Sequence, residues 1–147
     1  MAMGHMDISE LKKLRDKLKR NCDAQQLEEF FTSCSKSIAE NLLKDVVKRT
    51  PIGKYDGVGV AGGTLADSWF VGGVEKNGTT YTVNVENNAL SDDGKPYAIY
   101  VEFGHRTRSG GWVEGKKMLT ITEEEIKEVA PNILDRKVAD FLRRCMR

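Results

Sequence analysis

Residues 96–119 read PYAIYVEFGHRTRSGGWVEGKKML, one segment that gathers aromatic, glycine and turn chemistry together. It opens with Pro96, runs through Tyr97, Ala98, Ile99, Tyr100, Val101 and Phe103 around a single charge, Glu102, and stops at Gly104. A proline at the first helical position and a glycine just past the last one bracket a two-turn helix. A buried strand of the same length has the same apolar run, and periodicity does not separate the two over so few residues. Both readings stay open on sequence alone.

The chain around this segment has 147 residues, 39% hydrophobic and 31% charged. That is the composition of one compact domain, not of a disordered or membrane-spanning chain. A domain of this size buries roughly 70% of its unfolded surface, so neither a disulfide nor a metal is needed to hold it. Lys and Arg number 23 against 22 Asp and Glu, a formal charge of +1, without the basic excess of a dedicated duplex-binding domain. Cys22, Cys34 and Cys145 are odd in number and widely spaced, which reads as reduced intracellular thiols. No run approaches the ~18 apolar residues of a membrane span, and no secretory apolar region stands near the start. The sequon Asn77-Gly78-Thr79 therefore reads only as a turn. Residues 1–6 read as an expression-tag remnant, leaving residues 7–147 as a single domain and His105 as its one native histidine.

From Ile8 apolar residues recur at Leu11, Leu14 and Leu18, with Lys12, Lys13, Arg15, Lys17, Lys19 and Arg20 between them. This predicts a short amphipathic helix with a basic back. Asp23 and Gln26 form a capping-box pattern, and Leu27, Phe30, Phe31, Cys34, Ile38, Leu42 and Val46 follow at helical spacing. The second helix should run about 25 residues and end near Arg49, because Thr50 precedes Pro51. A glycine-rich stretch, Gly53, Gly57, Gly59, Gly62 and Gly63, then reads as a mobile loop. Gly57, Gly59 and Gly62 match G-x-G-x-x-G, but the motif follows a helix and a proline instead of a strand, the wrong context for a dinucleotide site.

Asn77-Gly78 is a hairpin signal. A two-residue turn there pairs Phe70 with Val85, Gly72 with Val83 and Val74 with Tyr81 on a core face. Trp69, Val71, Gly73 and Glu75 then fall on the opposite, mixed face, open to water or to another subunit. Further on, Ile121-Thr122-Glu123-Glu124-Glu125-Ile126 carries a capping box with a staple, so a helix should start at Thr122. Its apolar stripe continues to Cys145, and Pro131 should kink or break it. The order of elements predicts an α+β fold: a small antiparallel β-sheet packed against a long helix of the N-terminal half and a C-terminal helix.

Chemistry is scarce in this pattern. One histidine and three scattered cysteines do not make a zinc site. Ser33 and Lys36 match Ser-x-x-Lys, but the partner motifs are missing. His105 with Ser68 or Cys34 lacks any nucleophile signature. Asp92 and Asp93 before Gly94 suit a turn. His105, Arg106, Arg108, Lys116 and Lys117 interleaved with Trp112 read either as a nucleic-acid grip or as a loop that orders against a protein partner. With the basic N-terminal helix, they carry the alternative of a nucleic-acid-binding module. The near-neutral chain favours the protein partner.

Two motifs, read together, resemble a known family. Thr50-Pro51-Ile52-Gly53 followed by Gly63-Thr64-Leu65-Ala66-Asp67-Ser68-Trp69, and then Tyr97-Ala98-Ile99-Tyr100-Val101-Glu102-Phe103-Gly104-His105, resemble the signature of bacteriophage tail-completion or head-tail joining (neck) proteins of long-tailed phages and prophages. Met118-Leu119 stands where that family has an apolar pair before its last helix. The resemblance spans about residues 42 to 130 and leaves out the N-terminal helix. It implies a structural virion protein without catalytic activity, cofactor or metal, assembled in the bacterial host cytoplasm. It also implies a homo-oligomeric ring in the virion, the isolated chain being either monomeric or assembled, whose partners are other head-tail connector and tail proteins, with neither membrane nor nucleic acid. A tail terminator or minor tail component is the neighbouring alternative. A ring needs two different patches on each subunit; the candidate interface residues are Trp69, Val71, Glu102, His105, Arg106, Arg108 and Trp112.

Overall fold

The computed structural model describes residues 9–52 and 63–147. The glycine motif at residues 57–62 and most of the expected mobile loop lie outside the described residues. Helix α1 spans Ser9–Asn21 and helix α2 Ala24–Arg49. Between them Asp23 caps α2: its Oδ1 accepts the Gln26 N–H at 2.8 Å, and Gln26 Oε1 accepts the Asp23 N–H at 3.1 Å. The expected capping box is present. Helix α2 stops at Thr50, whose backbone is extended ahead of Pro51. A single turn, α3 (Thr64–Asp67), leads into strands β1 (Trp69–Asn77) and β2 (Thr80–Asn87). Then come α4 (Ala98–Phe103), β3 (Gly104–Arg106), β4 (Trp112–Glu114) and α5 (Met118–Cys145). The architecture is α+β, with two separate two-stranded antiparallel sheets, β1-β2 and β3-β4.

Helix α2 is the spine, with α5 and the β1-β2 hairpin packed against it. Helices α2 and α5 run antiparallel, since contacts climb one as they descend the other. Arg49 meets Thr122 and Glu125, Ser33 meets Lys137, and Phe30 stacks on Phe141 with centroids 4.3 Å apart. On the other side Phe31 meets Tyr81 of β2. The buried centre is Val46 of α2, Leu65 of α3, Ala89 after β2 and Met118 of α5. Trp69, Val85, Tyr97, Ala98, Val101 and Leu119 pack around it. Met118 and Val46 have no exposed surface, so truncating Met118 to alanine should cost about 2–5 kcal/mol.

The hairpin register departs from expectation by two steps. Asn77 pairs with Thr80, so Gly78 and Thr79 form the turn instead of Asn77 and Gly78. Gly78 takes φ +62° and Thr79 is not among the positive-φ residues, the pattern of a II′ turn, which wants glycine first. A bulge between Val71 and Val74 then adds a residue, at Gly72 and Gly73, where no side chain resists it. The result is Trp69 opposite Asn87, Val71 opposite Val85 and Val74 opposite Val83. Trp69 and Val71 therefore turn toward the core and Phe70 turns outward, the reverse of the sequence reading. One extra residue exchanges the two faces of a strand.

Three other expectations are corrected. The apolar run after Pro96 is a helix, but Pro96 precedes the N-cap Tyr97 and is not its first residue. The expected basic loop contains the β3-β4 hairpin, with Gly104 opposite Glu114, His105 opposite Val113 and Arg106 opposite Trp112. Helix α5 begins at Met118, a full turn before Thr122, and passes Pro131 without breaking. Pro131 is exposed, so the carbonyl it leaves unbonded can turn to water.

The cysteines differ as well. Cys22 and Cys145 are disulfide-bonded, their Cα atoms 6.1 Å apart, and Cys34 alone is free and buried. The pairing is invisible at a sequence separation of 123. It follows from antiparallel α2 and α5, which bring the start of one beside the end of the other.

Candidate docking surface

Helix α4 has six residues and is apolar nearly all round, so both of its sides need company. Its inner side, Ala98 and Val101 together with the capping Tyr97, packs on the core. Its outer side does not: Ile99 is 60% exposed, Tyr100 55% and Phe103 63%. Beyond it Trp112 is 55% exposed and Val113 42%. Glycines hold the two elements together. Gly104 sits at φ +86°, and a Cβ there would stand 2.9 Å from the Trp112 ring and from the Gly115 nitrogen. A Cβ on Gly115 would stand 2.7 Å from the Gly104 nitrogen. Only bare backbone permits that approach. Trp112 is thus held against the end of α4, and Ile99, Tyr100, Phe103 and Trp112 are exposed around it; Val113, next to Trp112 in β4, points from the opposite face of the hairpin, the face of His105.

Glu102 faces the other way. It is 6% exposed and caps α5 from outside that helix. One carboxylate oxygen accepts the Leu119 N–H at 3.0 Å; the other accepts the Thr120 N–H at 2.9 Å and the Thr120 hydroxyl at 2.6 Å. Burial pushes its pKa up. The Thr120 hydroxyl and the N–H groups of Leu119, Thr120 and Met118 more than reverse this, and the carboxyl lies below its ordinary value. The positive end of α5 favours the anion further. Thr122, expected as the cap, instead donates its hydroxyl to the Met118 carbonyl at 2.6 Å and accepts from Arg49 Nε at 3.2 Å.

The remaining candidates divide in two. Arg106, Arg108 and Trp112 are exposed on the β3-β4 hairpin. His105 is half-buried, edge-on to Tyr100 with centroids 6.3 Å apart, and its buried Nδ1 has no partner among the described residues. Trp69, Val71 and Glu102 turn inward and serve the fold. The Trp69 indole N–H donates to the Thr50 hydroxyl at 2.8 Å, and that hydroxyl donates to the Val46 carbonyl at 2.6 Å. The Thr-Pro and Ser-Trp halves of the first motif are therefore bonded to each other across residues 51–68. Ile99, Tyr100, Phe103 and Val113 were not among the sequence candidates. The signal was available in α4, which carries more apolar residues than one buried side can use.

No group of three or more His, Cys, Asp or Glu residues could hold a metal among the described residues. No described helix is long and apolar enough to cross a membrane. A groove of about 670 Å³ lies between the start of α2 and the end of α5. It contains none of the candidate residues and is bridged by Lys137 donating to Ser33 at 3.3 Å.

A family model described as "Bacteriophage HK97-gp10, putative tail-component" matches residues 12–104. The chain belongs to this family. Neither the curated proteins nor the solved structures compared with it give a match. Membership in the HK97-gp10-like family carries the coarse role of a structural phage tail component, a role that is not enzymatic. The matched span takes in α1, which the motif resemblance left out, and closes at Gly104. Within the HK97-gp10-like span lie Thr50, Trp69 and Glu102, the residues that tie the fold together. Trp112, Arg108 and the whole of α5 lie beyond it.

Proposed function

We propose that the chain acts at the phage head-tail junction as a tail-completion or neck protein, assembling as a ring and docking on connector and tail proteins. The observation that carries this reading is the exposure of Ile99, Tyr100 and Phe103 on α4 and of Trp112 against its end. Water is a poor partner for large apolar side chains exposed on one short helix and at its end, and exposed apolar patches mark protein interfaces. Aromatic residues and arginine are the anchors that interfaces favour. Family membership supports a partner among other proteins of the phage tail. On this reading the virion is built in the host cytoplasm and the chain performs no bond-making step.

The test is removal of the gene from a phage that carries it, with the particles viewed by negative-stain electron microscopy. Filled heads beside complete, unjoined tails are the expected result. Tails of uncontrolled length would place the chain at tail termination instead. Intact, infectious virions would contradict the reading.

A further inference from the structure

We infer that the β3-β4 hairpin of one copy seats on the outer face of α5 in a second copy, head to tail. Arg106 and Trp112 are directly opposite each other across the hairpin, so their side chains share one face. Glu114, two residues along β4 from Trp112, is exposed on that same face, and Arg108 and Lys116, both exposed, lie just beyond the two strands. The hairpin face is thus an aromatic centre whose rim carries three bases and one acid. Helix α5 presents the complement. Glu124, Glu128, Pro131 and Asp135 recur at intervals of four, three and four residues and are all exposed, which places them in one stripe along the helix. That stripe is an apolar ring between carboxylates, bordered by exposed Lys127 four residues before Pro131.

Three observations converge on this pairing. The charges are opposite, although the whole chain carries a formal charge of only +1. Among the described residues, neither the bases of the hairpin face nor the acids of the stripe make an ion pair within the chain. Pro131 costs α5 a backbone hydrogen bond and is exposed, yet as an apolar ring amid acids it fits an indole. The two faces are different surfaces of one chain, so the contact is heterologous and closes into a ring if the rotation allows. The inference rests on the head-tail reading above and names the contact between neighbouring subunits.

The experiment uses two full-length variants. Arg106→Glu with Trp112→Ala disables the hairpin face; Glu124→Arg with Glu128→Arg disables the helix face. Sedimentation velocity should show wild type associating as concentration rises, and each variant alone associating about thirtyfold more weakly or worse. Mixed together, the two variants should form a dimer and stop there, because one intact face of each kind remains. Pro131→Ala restores the helical hydrogen bond, so it should melt no lower than wild type while associating more weakly. Three results would overturn the contact: a mixture that stays monomeric, a helix-face variant that associates like wild type, or wild type that is monomeric at every concentration. If wild type is monomeric while gene removal still leaves heads and tails unjoined, this contact fails and the head-tail reading stands. If the mixture dimerises while virions form without the gene, the reverse holds.

Discussion

The carboxylate of Glu102, at the end of α4, accepts the backbone N–H of Thr120, in the first turn of α5, at 2.9 Å. The same side chain takes the Leu119 N–H and the Thr120 hydroxyl. One residue therefore fixes where the last helix begins and how the element bearing Ile99, Tyr100 and Phe103 sits upon it. Replacing Glu102 by alanine leaves these donors buried without an acceptor and should cost about 2–4 kcal/mol. Thermal unfolding at neutral pH would measure it, and an unchanged midpoint would contradict the capping role.

The same carboxylate predicts a pH dependence. Its folded-state pKa lies below its ordinary value, so its contribution is complete above the unfolded value, about 4.3. It is lost as pH falls through the folded value. Stability should decline on acidification below about pH 5, and Glu102→Gln should decline less steeply over that interval. Parallel curves for wild type and variant would contradict the assignment.

Thr50 and Trp69 predict a separable effect. Thr50→Val keeps the shape but removes the acceptor from the Trp69 indole N–H, a loss of about 1–3 kcal/mol. Trp69 is half-buried and Trp112 exposed, so fluorescence in a Trp112→Phe background follows Trp69 alone. A midpoint within error of the parent would show that the bond contributes nothing.

Gly104 and Gly115 permit the close approach that holds Trp112 in place. Alanine at Gly115 should cost about 2–3 kcal/mol or unpair the hairpin, because the obstruction is backbone and not a movable side chain. Amide exchange at His105 and Val113 should then rise; unchanged protection would contradict the packing.

The Cys22–Cys145 bond closes most of the chain into one loop. Its reduction, or Cys145→Ser, should lower stability by about 3–5 kcal/mol on the loop-entropy picture. Denaturant unfolding with and without reductant measures it, and coincident curves would exclude the cross-link.

Much of this fold is written locally and could be read. The capping box at Asp23 and Gln26, the stop before Pro51 and the stripe of α2 are signals within a turn or two of the residues they govern. What escaped is non-local. The start of α5 is set by Glu102, some sixteen positions away in another element, so Thr122 offered a false cap. The hairpin register turned on a bulge at Gly72 and Gly73, where absent side chains leave no pattern, and with it Trp69 and Val71 changed faces. Three-residue strands such as β3 and β4 have no periodicity to detect. The proposed docking surface shares Trp112, Arg106 and Arg108 with the residues read from sequence, and the structure leaves these three exposed. Ile99, Tyr100 and Phe103 were not read there, because a short apolar run does not say which of its residues remain uncovered.

The central claim is that this tail component acts through the surface formed by α4 and β4. The most direct measurement is the infectious titre of a phage whose own copy carries Phe103→Ser and Trp112→Ala, with the purified variant first shown to melt like wild type. The expected result is a fall of several orders of magnitude in titre, with heads and tails left unjoined in the micrograph. A wild-type titre with intact particles would contradict it.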